Sequence, residues 1–539
     1  MKKADFPFEI PFNNEKNWQY RFFEILPGFL SWTALLLPLV LGMVSVNLIA
    51  MIMIAYLVIW FLKAAALNLR AVQGWRLYEE HTATDWEALI DDTRNHVESK
   101  KWPKWHLNNL NRIEKTPNGI NPDKIVHAVI VATWNEAREI LQPTLENIRK
   151  STSDPKKMIV LLAFEQRGGE VVEKQALKLM KEYEGVFMVS KAVKHVDLDG
   201  EIIGKGPNIS CAGRELQRIV EKMGIDPLHV LVTTLDADNR PHKSYFSCLS
   251  YVYSVCHDPL YLSFQPIPMF TNNIWDAPAP MRVIATGNSY WMLIQGLRQH
   301  MLRNFSAHAQ PLASLIETNY WSTRTIVEDG HQFWRSYFAF DGKHEVIPIF
   351  IPIYQDAVLA KGYRRTLKAQ FIQLRRWAWG ASDVAYVAKY GLFTKHKISK
   401  IDVWFKFLRL VEGHFSWATA PLILAFGAIV PWLFHKTDFI ANQLPQVASR
   451  IQTFAMVGIL VTLYLSFKIL PPKPARYKKH RTIFMVLQWG LLPITTICYS
   501  SFAALNSQTR LMFGRYIGKF DVTEKAVKTD NGTITSHEG

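Results

Sequence analysis

Apolar side chains fall along this chain in blocks of two kinds. From Ile25 to Leu62 no charged side chain occurs, with Glu24 and Lys63 bracketing the run. A helix needs about 20 apolar residues to cross a bilayer. The run therefore predicts two crossings, turned at the polar pair Ser45 and Asn47. It is too long for the apolar core of a cleaved leader, and no small-residue cleavage site follows it. Three further apolar blocks, 415–434, 454–470 and 483–505, lie toward the C-terminus. Between the two groups, short apolar runs alternate with charged and turn-forming residues.

That middle stretch has a regular rhythm. "HAVIVATWNE" (127–136) reads as a buried strand ending in a polar turn, with a helix through "AREILQPTLENIRKS" after it. "MIVLLAFEQRGG" (158–169) reads as a second strand, followed by an amphipathic helix over 170–184. "GVFMVSKAV" (185–193) is a third, a helix opens at Pro207, and "VLVTTLDADN" (230–239) is a fourth strand. Strands and helices alternating at this spacing predict an α/β layer with a mostly parallel sheet and flanking helices. In such sheets ligands gather at the carboxyl ends of the strands. Trp134, Glu136, Glu165, Asp236 and Asp238 all fall at such ends.

Charge assigns the sides. Lys2, Lys3, Lys16 and Arg21 precede the first apolar block, and Lys63, Arg70 and Arg76 follow it. By the positive-inside rule, the N-terminus and the middle domain belong in the cytoplasm. The expected division is a cytosolic segment 1–24, a transmembrane hairpin 25–67, a cytosolic domain 70–400, membrane segments 401–507 and a cytosolic tail 508–539. The formal net charge is +16, which raises nucleic acid as a partner. However, the basic residues cluster beside the apolar blocks and in the loop 473–481, where anionic lipid head groups account for them. Membrane lipids are thus the expected partner, with no nucleic acid. The four cysteines, Cys211, Cys248, Cys256 and Cys498, have no zinc-like spacing.

The fourth strand ends in two carboxylates. Asp236 and Asp238 share a face of an extended segment, and two like charges so close call for a cation between them. Mg²⁺ or Mn²⁺, which prefer oxygen ligands and leave places for phosphate oxygens, suit that position. The plain alternative is an aspartate-rich turn helped by Asn239 and Pro241.

Five short motifs in order resemble those of membrane-embedded family-2 glycosyltransferases of the GT-A fold, the cellulose, chitin and hyaluronan synthase group. "ATWNE" (132–136) resembles the nucleotide-binding turn, usually written with Tyr-Asn-Glu. "DAD" (236–238) resembles Asp-x-Asp, "VED" (327–329) Thr-Glu-Asp, "QLRRW" (373–377) Gln-x-x-Arg-Trp, and "FDVTEK" (520–525) the gating segment Phe-x-Val-Thr-x-Lys. The resemblance implies metal ligation by Asp236 and Asp238 and a general base at Asp329. It implies nucleotide-sugar contacts from Thr133, Trp134, Glu136, Glu165, Lys205, Gln373 and Arg376. Trp377 would meet the acceptor, and Phe520, Val522, Thr523 and Lys525 would gate the site. The implied reaction is inverting transfer from a UDP-linked sugar to a growing polysaccharide, with export through the membrane part; whether accessory export subunits take part is left open. Transfer of one sugar to a lipid-linked acceptor and an inactive scaffold are the alternatives. The implied location is the cell (inner) membrane, multi-pass, with the catalytic domain cytoplasmic.

Each motif also has a plain reading. Glu328 and Asp329 could simply favour a helix N-terminus, Lys205 could be a solvated loop residue, and "QLRRW" an interfacial helix. Two positions depart from the pattern: Val327 replaces threonine, and Glu165 stands where the family carries an aspartate. Finally, two blocks before the domain and three after it would leave the tail outside. A cytosolic gating segment therefore requires 483–505, with Pro493 near its middle, to start and finish on one face.

Overall fold

The four apolar runs of the middle stretch become four parallel strands. The structure, a computed structural model, describes residues 6–95, 102–115, 119–478, 480–520, 524, 526–528 and 534–535. Helices α1 (Trp18–Val44) and α2 (Val46–Ala83) come first. Only Ser45 separates them, and its hydroxyl accepts from the Leu48 N–H to cap α2. The α/β layer follows as β1 (Val126–Thr133), α3 (Arg138–Arg149), β2 (Met158–Glu165), α4 (Gly169–Lys181), β3 (Val189–His195), α5 (Lys205–Lys222) and β4 (Val230–Asp236). A second half continues it with β5 (Arg240–Pro241), β6 (Leu262–Met269), α6 (Ala279–Gly296), β7 (Ala309–Pro311), α7 (Glu328–Ala339), β8 (Glu345–Tyr354) and α8 (Tyr363–Ala378). Long helices α9 (Lys400–Phe434), α10 (Phe439–Ile469) and α11 (Arg481–Met512) close the chain.

Eight strands form one sheet in the order β3-β2-β1-β4-β7-β6-β8-β5. Its first four strands are parallel. β7 runs antiparallel to both β4 and β6, while β6 and β8 are parallel to each other. Alternate residues of β1 face opposite layers. Val129 and Val131 pack with Leu141 and Leu145 of α3, and Ala128 and Ile130 with Ile209 and Leu216 of α5. Burial on both faces explains why these strands read as unbroken apolar runs.

Among the described residues, α1, α2, α9, α10 and α11 are long and apolar enough to cross a membrane. α11 is interrupted by tighter and wider turns around Pro493, and α9 by a tighter turn at Gly427–Ile429. The first residue of α11, Arg481, donates to the Trp275 carbonyl of the α/β part of the chain. Its last residues, Leu511 and Met512, accept from Arg21 at the start of α1.

Residues ahead of α1 form a strap against the α/β part of the chain. Tyr386 and Tyr390 donate to the Phe8 and Glu9 carbonyls at 2.6 and 2.7 Å. The Glu9 carboxylate pairs with Arg335 of α7, a fully buried guanidinium, and accepts from Ser322 at 2.6 Å.

Candidate active site

The carboxyl ends of β1, β2 and β4 supply one wall of a cleft. After β1 the chain turns, and the turn is built on Glu136, which accepts from the Thr133 hydroxyl and the Trp134 N–H, each at 2.8 Å. β2 ends at Glu165, whose carboxylate binds Arg167, and the Arg167 guanidinium lies 4.3 Å above the Trp134 ring. Burial raises the Glu165 proton affinity, and Arg167 opposes that. His195, at the end of β3, and Asp197 stand beside them, with ligand atoms of the three residues all within 4.8 Å of one another. Arg167 already supplies positive charge to that group, reaching Asp197 at 3.7 Å.

β4 ends at Asp236. Lys205, the first residue of α5, donates to its Oδ1 at 2.6 Å, and Ser306 donates to its Oδ2 at 2.6 Å. Lys205 also donates to Ser306 at 3.0 Å. Its ammonium is buried, which alone would lower its pKa, but Asp236 and then Glu328 outweigh that and raise it. The α5 start can come this close only because residue 206 is glycine: a Cβ there would lie 2.4 Å from the Ser322 carbonyl oxygen. Asp238 lies just past β4, and its Oδ2 accepts the Asp356 N–H at 2.9 Å.

The opposite wall comes from α7, the segment after β8, and α8. Glu328 and Asp329 open α7, and Asp329 accepts from the Gly330 N–H at 2.7 Å. A helix N-terminus favours carboxylates, yet burial dominates here. It pushes the Glu328 carboxyl up, with the neighbouring Asp329 charge adding to it and Lys205 opposing. Asp329 is likewise raised by burial against the pull of Lys205. Gln373, Arg376 and Trp377 lie at i, i+3 and i+4 on one face of α8. The Arg376 guanidinium sits 3.7 Å above the Phe520 ring.

Together these walls enclose a cleft of about 160 Å³. Thr133, Trp134, Glu136, Glu165, Lys205, Asp236, Asp238, Asp329, Gln373, Arg376, Trp377 and Phe520 all line it. Val522, Thr523 and Lys525 lie outside the described residues. Phe520 reaches the cleft because its N–H bonds to the Ile203 carbonyl at 2.7 Å, just before Lys205. Glu524 lines the cleft too and accepts from the Lys361 N–H at 2.8 Å.

No protein-family model matches the chain, and no curated protein matches it. Solved structures do align with it. The mannosyltransferase PcManGT from Pyrobaculum calidifontis, in complex with GDP-Man and Mn²⁺, covers 82% of this chain and 98% of its own, with 13% identity and a TM-score of 0.38. TarS 1–349 of S. aureus, in complex with UDP-GlcNAc, covers 77% of this chain and 99% of its own at 10% identity and a TM-score of 0.35. GalNAc-T7 with UDP, GalNAc and Mn²⁺ covers 56% of this chain and 58% of its own at 12% identity and a TM-score of 0.29. Likenesses at this level carry no argument about what the chain does.

The cleft also contains residues that sequence reasoning missed. Ser306 completes the Lys205–Asp236 triangle, Asn208 donates to the Ala163 carbonyl of β2 at 3.0 Å, and Gln355 and Asp356 follow β8. None sits in a recognisable motif. The chemistry of the donors fits a hard cation at the aspartate pair, since carboxylate oxygens are what Mg²⁺ and Mn²⁺ take. But Lys205 already gives Asp236 positive charge, so a divalent ion here would share that carboxylate with an ammonium.

Proposed function

We propose that this chain is a membrane-embedded, inverting glycosyltransferase. In this reading it takes a nucleotide-diphospho-sugar, UDP-linked, at the cytoplasmic face and elongates a polysaccharide that leaves through the membrane part. One observation carries the reading: the paired aspartates, Asp329 and the Arg376–Trp377 face converge on one cleft from three separate elements, the end of β4, α7 and α8.

The acceptor hydroxyl oxygen attacks the anomeric carbon as the bond from that carbon to the phosphate oxygen breaks. The hydroxyl proton passes to Asp329. A carboxyl whose proton affinity burial has raised is a stronger base than an exposed one, which suits general-base work near neutral pH. The nucleoside diphosphate leaves with the bonding electrons, and Lys205 and Arg376, which both line the cleft, would be the positive partners for its growing charge. A bound Mg²⁺ or Mn²⁺ at Asp238 and Asp236 would supply Lewis-acid neutralisation of the same phosphates. Trp377, packed 6.2 Å from Phe270, offers a flat ring surface for a sugar.

The test is Asp329→Asn in purified membranes supplied with radiolabelled UDP-sugars. Transfer should fall by about three orders of magnitude, in line with loss of a general base, while UDP binding persists. Equal transfer by the variant and the parent would reject the mechanism. Single-sugar transfer to a lipid-linked acceptor remains the second reading. It is favoured by α11, whose two ends both bond to the domain side and leave four helices for a channel. A ladder of products supports elongation, and one added sugar supports the alternative.

A further inference from the structure

Gln355 is the one cleft residue whose carboxamide makes no hydrogen bond among the described residues while its backbone is fully engaged. Its N–H donates to the Met269 carbonyl at 2.8 Å, and its carbonyl accepts from the Asn272 N–H at 3.1 Å. The residue is 7% exposed, and its side-chain Nε2 is buried without a partner. Buried polar groups are nearly always paired, and an exception needs a reason. The wall of the cleft provides one, because Gln355 lines it.

Position narrows what the amide would meet. The next peptide, the Asp356 N–H, is bonded to Asp238 Oδ2, so Gln355 sits one residue from an anchor on the aspartate pair. Asn208 offers a contrast on the β2 side of the same cleft. It keeps one end of its amide tied to the Ala163 carbonyl at 3.0 Å and leaves only its Oδ1 unpartnered. Gln355 is tied at neither end. An amide offers both a donor and an acceptor, and so does an alcohol. A phosphate oxygen would use only the donor half.

We infer that Gln355 is a specificity-determining residue that reads a hydroxyl of the sugar attached beyond the diphosphate. This rests on the glycosyl-transfer reading and adds to it the group that recognises the sugar. A site built to pair with a hydroxyl rejects the analogue lacking it, because its own polar atoms are then left buried and unpaired.

The experiment uses the full chain in detergent micelles with Mn²⁺, titrated with UDP, GDP, UDP-glucose, UDP-galactose, UDP-N-acetylglucosamine and GDP-mannose. Gln355→Leu and the closer-shaped Gln355→Met should bind the free nucleoside diphosphate within about twofold of the parent. They should lose about tenfold in affinity for the best sugar-bearing form, the usual scale for one buried polar partner. A second measurement needs no variant. Among singly deoxygenated versions of that nucleotide sugar, one should bind the parent about tenfold more weakly, and that difference should vanish in Gln355→Leu. An unchanged ratio of sugar-bearing to free nucleotide affinity, or equal binding of every deoxy analogue by the parent, overturns the inference alone. A parent that takes no nucleoside diphosphate at all overturns the glycosyl-transfer reading and this inference with it.

Discussion

Replacing Lys205 with methionine separates two jobs that its ammonium performs. The side chain of Lys205 is 9% exposed and that of Asp236 34%, with 2.6 Å between the charged atoms. Exposed pairs contribute about 0–1 kcal/mol, and breaking a fully buried pair costs about 3–5 kcal/mol. Asp236 is wet enough to be discounted heavily, so we take about 2 kcal/mol for the ammonium's hold on it, midway between those limits. A metal ion entering between Asp236 and Asp238 must overcome that hold. In Lys205→Met the obstacle is gone, and Mn²⁺ affinity without nucleotide should rise about thirtyfold, at 1.4 kcal/mol per decade. The same change removes a cation from the proposed diphosphate site, so UDP binding and transfer should fall if that reading holds. Electron paramagnetic resonance of free Mn²⁺, titrated against parent and Lys205→Met, reads the first effect directly. Mn²⁺ affinity that is unchanged or weaker in the variant would refute the competition.

Two further outcomes follow from buried charge. Glu328 and Asp329 hold protons more tightly when folded, Glu328 being pushed from 4.5 up to about 8. The folded state therefore binds more protons than the unfolded one in that window, and stability should fall as pH rises from about 4.5 to about 8, then level off. Glu328→Gln should flatten the fall; thermal melts at pH 5 and pH 8 with the same drop in both proteins would contradict it. Glu9→Ala leaves the fully buried Arg335 without its carboxylate and should destabilise the protein by about 3 kcal/mol. A melting temperature within a degree of the parent would show that the strap contributes little.

Half of the sheet was readable in the sequence and half was not, for a physical reason. β1, β2 and β4 are buried on both faces, and each appears as a continuous apolar run. β6 and β8 carry Pro266, Pro268, Pro348 and Pro352, residues that donate no ladder hydrogen bond and argue against a central strand. The sheet accommodates them by placing Gln265 opposite Pro348 and slipping register after Pro266. Gln355 and Asp356 follow β8, so the wall they form was hidden with it. The helix expected from Pro207 begins two residues earlier, which makes Lys205 its first residue and brings its ammonium onto Asp236. Motif order located the remaining acids and the α8 face because those residues lie at strand and helix ends. Ser306, in a loop without pattern, had no such marker.

The strap in front of the first helix sets a limit on how this protein can be taken apart. Cutting out the α/β part for expression would discard Glu9 and the carbonyls that Tyr386 and Tyr390 grip. The helix that carries Asp329 would then keep a guanidinium sealed in its interior with no counter-ion. Strap and domain are in this respect a single folding unit, and trimming the chain to its α/β part should yield a destabilised product.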